Sequence, residues 1–111
     1  MNNIKHNRIE EAIREAAGLY VAREGGTTSI ITITRVVLDE KGRRAMIYYT
    51  CIPEDKENAA FGFLKRSLTG IREFCESRIK THTIPYLDVM VDDGEKNFRH
   101  INDLLRADEK K

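Results

Sequence analysis

The chain lacks the motifs on which several function classes depend. Its 111 residues contain no Walker-type phosphate loop and no Gly-x-Ser-x-Gly elbow. No histidine stands beside a serine or cysteine in a recognisable local motif. The acid pairs Glu10–Glu11 and Asp92–Asp93 read more simply as a solvated helix face and a turn. An enzyme is therefore not expected. Cys51 and Cys75 are the only cysteines, and they form no Cys-x-x-Cys. His6, His82 and His100 show no metal-ligand spacing. Both thiols are expected to be reduced and packed in the core, with no cofactor or metal. No apolar run approaches the roughly 18 residues needed to span a bilayer. The start, "MNNIKHNRIEE", is too polar for a signal peptide. A cytoplasmic chain is expected, with neither a membrane nor a small-molecule substrate as partner. Repeats and low-complexity blocks are also missing. The length suits one domain, residues 1–111, with 107–111 as a frayed tail.

The composition that remains, 33% charged and 41% hydrophobic, is that of an ordinary folded domain. The net charge of +1 hides an uneven distribution. Residues 59–85 carry Lys65, Arg66, Arg72, Arg78 and Lys80 against two glutamates. Residues 25–52 carry Arg35, Lys41, Arg43 and Arg44 against two acids, whereas 86–111 is acidic. A basic middle can form a one-sided patch facing phosphate.

Ile9, Ile13, Ala16 and Tyr20 recur at spacings of three and four, which predicts a helix from Ile4 to Arg23 with Ala12 and Leu19 beside the stripe. Gly25 and Gly26 would end it in the positive-φ conformation of a helix C-cap. "SIITITRVVL" alternates Ile31 and Ile33 with Thr32 and Thr34 and predicts a strand. "DEKG" is the hairpin turn, with Gly42 at positive φ. "RRAMIYYTCI" is the return strand. Both of its faces carry apolar groups, so it should be central; of Tyr48 and Tyr49, at most one can be core. After the turn "PEDKEN", a helical stretch from about Lys56 to Lys80 places Phe61, Leu64, Leu68, Ile71 and Cys75 on one stripe. Lys65, Thr69, Arg72 and Glu76 form the solvent-facing row. Gly70 lies within the stretch, where glycine costs about 1 kcal/mol relative to alanine. The stripe keeps its phase across it, which predicts two helices joined at a shallow kink. "YLDVMVDD" is a third strand, and Glu95 to Arg106 a last helix. Together these elements make an α+β domain of two layers, a three-stranded sheet packed on helices.

The candidate site follows from charge and backbone access. Lys65, Arg66, Arg72, Arg78 and Lys80 flank Gly70, where the missing side chain lets a phosphate or ribose approach. Arg35, Arg43 and Arg44 stand at the hairpin ends. These residues, with Thr69, are the candidate contacts for a phosphate-bearing ligand, which the resemblance below makes RNA.

The element order, with the helical stretch counted as two, is that of a type II K-homology-like domain, an RNA-binding architecture. Ordinary members clamp the nucleic-acid backbone with a Gly-x-x-Gly loop. None occurs here. The chain more specifically resembles the ribosome-binding factor A family, which replaces that loop with an Ala-x-Gly kink; the matching positions are Leu68, Thr69 and Gly70. "RIEEAI" is similar to the family's opening helix. "ITITRVVLDEKGRRAMIYYT" resembles its first hairpin, "THTIPYLDVMVDD" its third-strand entry and "INDLL" its final helix. The resemblance spans Arg8 to Leu105. It departs at Leu68, where the family has alanine, at the extra residue between Thr83 and Pro85, at "EGGTT" and at Asn97, Phe98 and His100, and it lacks the long basic extension of some members. It implies a non-catalytic assembly factor that binds 16S rRNA of the immature small (30S) ribosomal subunit late in maturation, near the decoding region, and is monomeric off the ribosome. A general single-stranded nucleic-acid binder and a protein-interaction module are the alternatives.

Overall fold

A computed structural model describes residues 4–26, 29–80, 83–92 and 94. The expected last helix at 95–106 and the tail at 107–111 lie outside these. The elements run α1 (Ile4–Glu24), β1 (Ile30–Leu38), β2 (Arg44–Ile52), a short 3-10 turn (Glu54–Lys56), α2 (Glu57–Arg78) and β3 (Tyr86–Val91). β2 is central, antiparallel to β1 and parallel to β3. A parallel neighbour needs a crossover, and α2 supplies it. Both helices pack on one face of the sheet, giving the two α+β layers expected of a K-homology-like domain.

Alternation in β2 separates a buried row from a partly open one. Ala45, Ile47, Tyr49 and Cys51 are buried, while Met46, Tyr48 and Thr50 are half-buried. Tyr49 is thus the core tyrosine. The strict alternation expected of β1 breaks at Thr34. A bulge places Ile33 opposite Tyr49 and Arg35 opposite Tyr48, leaving Thr34 as the extra residue. The bulge shifts the phase, so Ile33 is buried before it and Val36 and Leu38 after it. Without that shift Val36 and Leu38 would point to solvent. The extra residue is anchored: the Thr34 hydroxyl donates to the Asp92 carboxylate at 2.7 Å.

Each helix offers its small and branched residues to the sheet. In α1, Ile13, Ala16, Ala17 and Val21 are buried, and Ile9 and Tyr20 pack against them. Leu19 is exposed, so the apolar stripe drifts toward Ala17 and Val21 rather than Leu19. In α2, Ala60, Leu64, Ile71 and Cys75 are buried and Leu68 is half-buried. Phe61, expected on this stripe, is instead exposed, because Ala60 occupies the core position one residue earlier. Burying a Leu or Ile side chain is worth about 1.5–3 kcal/mol, so Ile13, Ile47, Leu64 and Ile71 are central to stability.

Three glycines resolve differently from one another. Gly42 has the expected positive φ of 71° in the hairpin turn. Gly25 does not have a positive φ; its N–H donates to the Val21 carbonyl at 2.8 Å, and a Cβ would stand 2.6 Å from that oxygen. Close approach, not handedness, requires glycine there. Gly70 does not separate two helices: α2 is a single helix through it.

The sheet edges are closed to further pairing at specific donors. On β1, the outward N–H of Leu38 donates to the Glu10 carboxylate of α1 at 2.9 Å. On β3, the N–H of Val89 donates to the Asp88 side chain at 2.8 Å, and Lys65 of α2 reaches the same carboxylate.

Candidate nucleic-acid interface

The ten candidate residues do not form one patch. Helical geometry divides those on α2 between flanks. Lys65 and Arg72, seven residues apart, share the flank that meets β3. The Lys65 ammonium donates to Asp88 at 2.8 Å. That bond holds the Asp88 carboxyl below its ordinary value and raises that of Lys65. The Arg72 guanidinium donates to the Ile84 carbonyl at 2.8 Å and the Pro85 carbonyl at 2.7 Å, and lies 3.6 Å from Glu76. It ties down the entry to β3. Both cations were expected in a solvent-facing row, and both are engaged by the protein itself.

Gly70 and Phe74 share the opposite flank, toward α1. Tyr20 of α1 fills the space above Gly70: a Cβ there would lie 2.9 Å from the ring carbon bearing the hydroxyl. The side chain missing from Gly70 thus admits a tyrosine from the neighbouring helix. The same tyrosine ring packs tilted against Phe74, centroids 6.2 Å apart. Arg78, one turn beyond Phe74, places its guanidinium 5.5 Å from that ring's centroid, and Arg23 of α1 reaches the same ring at 5.6 Å. Among the described residues neither guanidinium has a carboxylate within ion-pair distance. Lys80 follows, exposed, just past the end of α2. Thr69 and Arg66 are exposed on the same helix.

The hairpin cations lie elsewhere. Arg35 and Arg44 belong to the sheet face away from the helices. Arg35 stacks over Tyr48 at 4.2 Å and lies 3.5 Å from Asp92. Arg44 stands over Tyr86 at 5.8 Å. Between them is a groove of about 260 Å³ lined by Val37, Met46, Tyr48 and Tyr86. Arg43 is exposed in the turn, where its N–H and that of Arg44 donate to Asp39. Burial raises the Asp39 carboxyl, but these N–H groups and that of Gly42 outweigh it and hold it below its ordinary value. The structure therefore offers a helical face around Gly70 and Phe74 and a separate sheet face around Tyr48 and Tyr86.

Arg23 and Phe74 were not singled out from the sequence. Phe74 could have been found by its spacing, four residues from Gly70 and from Arg78. Arg23 could not, because only packing brings the end of α1 to the second half of α2. Cys75 is fully buried, its thiol pushed up to about 11 by burial, and has no place in a reactive site. Among the described residues no cluster of His, Cys, Asp or Glu could hold a metal ion, and no helix is long and apolar enough to cross a membrane.

The sequence model of ribosome-binding factor A matches residues 5–105. The chain belongs to the ribosome-binding factor A family. The crystal structure of ribosome-binding factor A from Thermus thermophilus is similar, with a TM-score of 0.68 at 17% identity, covering 78% of this chain and 94% of that one. The solution structure of a Thermotoga maritima protein, provisionally assigned as a ribosome binding factor A, gives 0.57 at 21% identity, covering 81% and 90%. No significant match was found among curated proteins. In this member of the family, the positions matched to Ala-x-Gly lie inside one helix. Leu68 is half-buried against the core, Thr69 exposed, and Gly70 closed over by Tyr20.

Proposed function

We propose that the chain is a non-catalytic assembly factor that binds 16S rRNA on the immature small (30S) ribosomal subunit and assists its late maturation. The match to the family over 5–105 carries this reading. The helical face supports it chemically. Gly70, Thr69, Arg66, Arg78 and Lys80 belong to α2 or its end, and exposed cations such as Arg66, Arg78 and Lys80, with no carboxylate partner among the described residues, suit phosphate. Arg35, Arg43 and Arg44 would form a second, smaller contact through the sheet face. Lys65 and Arg72 act chiefly by holding β3. The capped edge donors on Leu38 and Val89 support a chain that is monomeric off the ribosome. The cytoplasm is the compartment in which such a factor works.

Sedimentation of cell extract at low and high salt tests the reading. Co-migration with free small subunits, lost at high salt, is expected. A chain that stays at the top of the gradient in every condition is not a ribosome assembly factor. A second reading, a protein-interaction module, draws on the open sheet face, where Ile30, Ile52 and Tyr86 are about two-thirds exposed. Association that survives high salt would favour it.

A further inference from the structure

We infer that Arg23, Phe74 and Arg78 form a two-cation clamp for neighbouring phosphates of a single RNA strand. The inference rests on the proposed RNA-binding role and names a site within it. Arg23 lies near the end of α1 and Arg78 ends α2, fifty-five positions apart in sequence. The fold brings both guanidinium groups onto one ring, at 5.6 Å and 5.5 Å from its centroid, so the two groups are at most about 11 Å apart. Both arginines are exposed, and neither has a described carboxylate partner.

A guanidinium drawn over a ring by cation–π attraction keeps N–H groups available to an anion. Two such groups on one aromatic support have already lost much of the side-chain freedom that binding would otherwise remove. Phe74 is itself packed against Tyr20, which sits over Gly70. Gly70 therefore positions the tyrosine that supports the ring, rather than touching the strand itself. The ligand class is a phosphodiester backbone, because two positive groups at most about 11 Å apart match anionic oxygens that recur at every nucleotide.

The test is binding of a labelled single-stranded oligouridylate across a salt series, with purified small subunits sedimented in parallel. Neutralising one phosphate contact on a single strand should lower the magnitude of the slope of log K against log salt by about 0.7. Arg23→Gln and Arg78→Gln should each do so, and the double variant by about 1.4. Arg8→Gln, an exposed arginine near the opposite end of α1, should leave the slope unchanged. Phe74→Leu should weaken binding at every salt concentration although no charge is lost. Wild-type slopes in both arginine variants would overturn the clamp. So would a wild-type chain that sediments with small subunits yet ignores the oligonucleotide, which leaves the assembly role standing. A wild-type chain that does neither overturns both.

Discussion

Tyr20 and Gly70 occupy one another's space: the tyrosine of α1 lies where a side chain on α2 would have to be. Helix propensity alone says that Gly70→Ala should stabilise α2 by about 1 kcal/mol. Packing says the opposite, because overfilling a tight contact costs about 1–3 kcal/mol and the Tyr20 ring cannot fold away like a lysine tail. Gly70→Ala is therefore expected to lower stability in urea denaturation. In a Tyr20→Ala background the same substitution should raise it by about the propensity difference. A stabilised single variant would mean that the ring moves aside without cost.

Arg72 separates a structural role from an RNA role. Its guanidinium holds two carbonyls at the entry to β3. Hydrogen bonds from a charged donor are worth about 1.5–3 kcal/mol, less where water reaches the group. Arg72→Gln should destabilise the fold by about 1–2 kcal/mol while changing the salt dependence of RNA binding less than Arg78→Gln does. Equal loss of slope in the two variants, with unchanged melting of Arg72→Gln, would return Arg72 to the interface.

Acid should unfold the chain through particular carboxylates. Asp88, Asp92 and Asp39 are all held below the ordinary value of 3.8. Hydrogen bonding by Lys65 is the main cause for Asp88, and by the Thr34 hydroxyl for Asp92. A depressed folded value means the folded state holds its protons less tightly than the unfolded one. The stability these groups add is complete above the unfolded value, near pH 4, and drains away as pH falls through their lower folded values. Denaturation midpoints should thus be flat with respect to these groups from neutral pH to about 5 and fall below about 4. Asp92→Asn should flatten that acid limb. A limb of wild-type steepness in this variant would remove Asp92 from the account.

Thiol chemistry should report unfolding and nothing else. Cys51 and Cys75 are buried and unpaired, and the Cys75 thiol sits at about 11. At pH 8 almost none of it is thiolate, the reactive form. A disulfide reagent should modify Cys75 at the rate of global opening, and both thiols promptly in denaturant. Fast modification of Cys75 in the native chain would contradict its burial.

What the sequence determined by itself is the local grammar. The three-and-four spacing of α1 and α2, the Thr-rich alternation of β1, the doubly apolar β2 and the positive φ of Gly42 all follow from short-range rules. So does the order of the described helices and strands, apart from the single α2, and the resemblance to the family is one that the match over 5–105 bears out. The tertiary structure decided whatever depends on which element packs where. Thr34 is a bulge whose hydroxyl is held by Asp92, 58 residues away. Gly70 became a seat for Tyr20 instead of a break in α2, since no helical periodicity records what the neighbouring helix brings. The candidate residues of α2 were parted because residues two apart on a helix, such as Gly70 and Arg72, lie nearly on opposite sides. Arg72 turned toward β3, Gly70 toward α1, and an unforeseen Arg23 joined Arg78 over one phenyl ring. Charge could be counted from composition, but its placement is a property of packing.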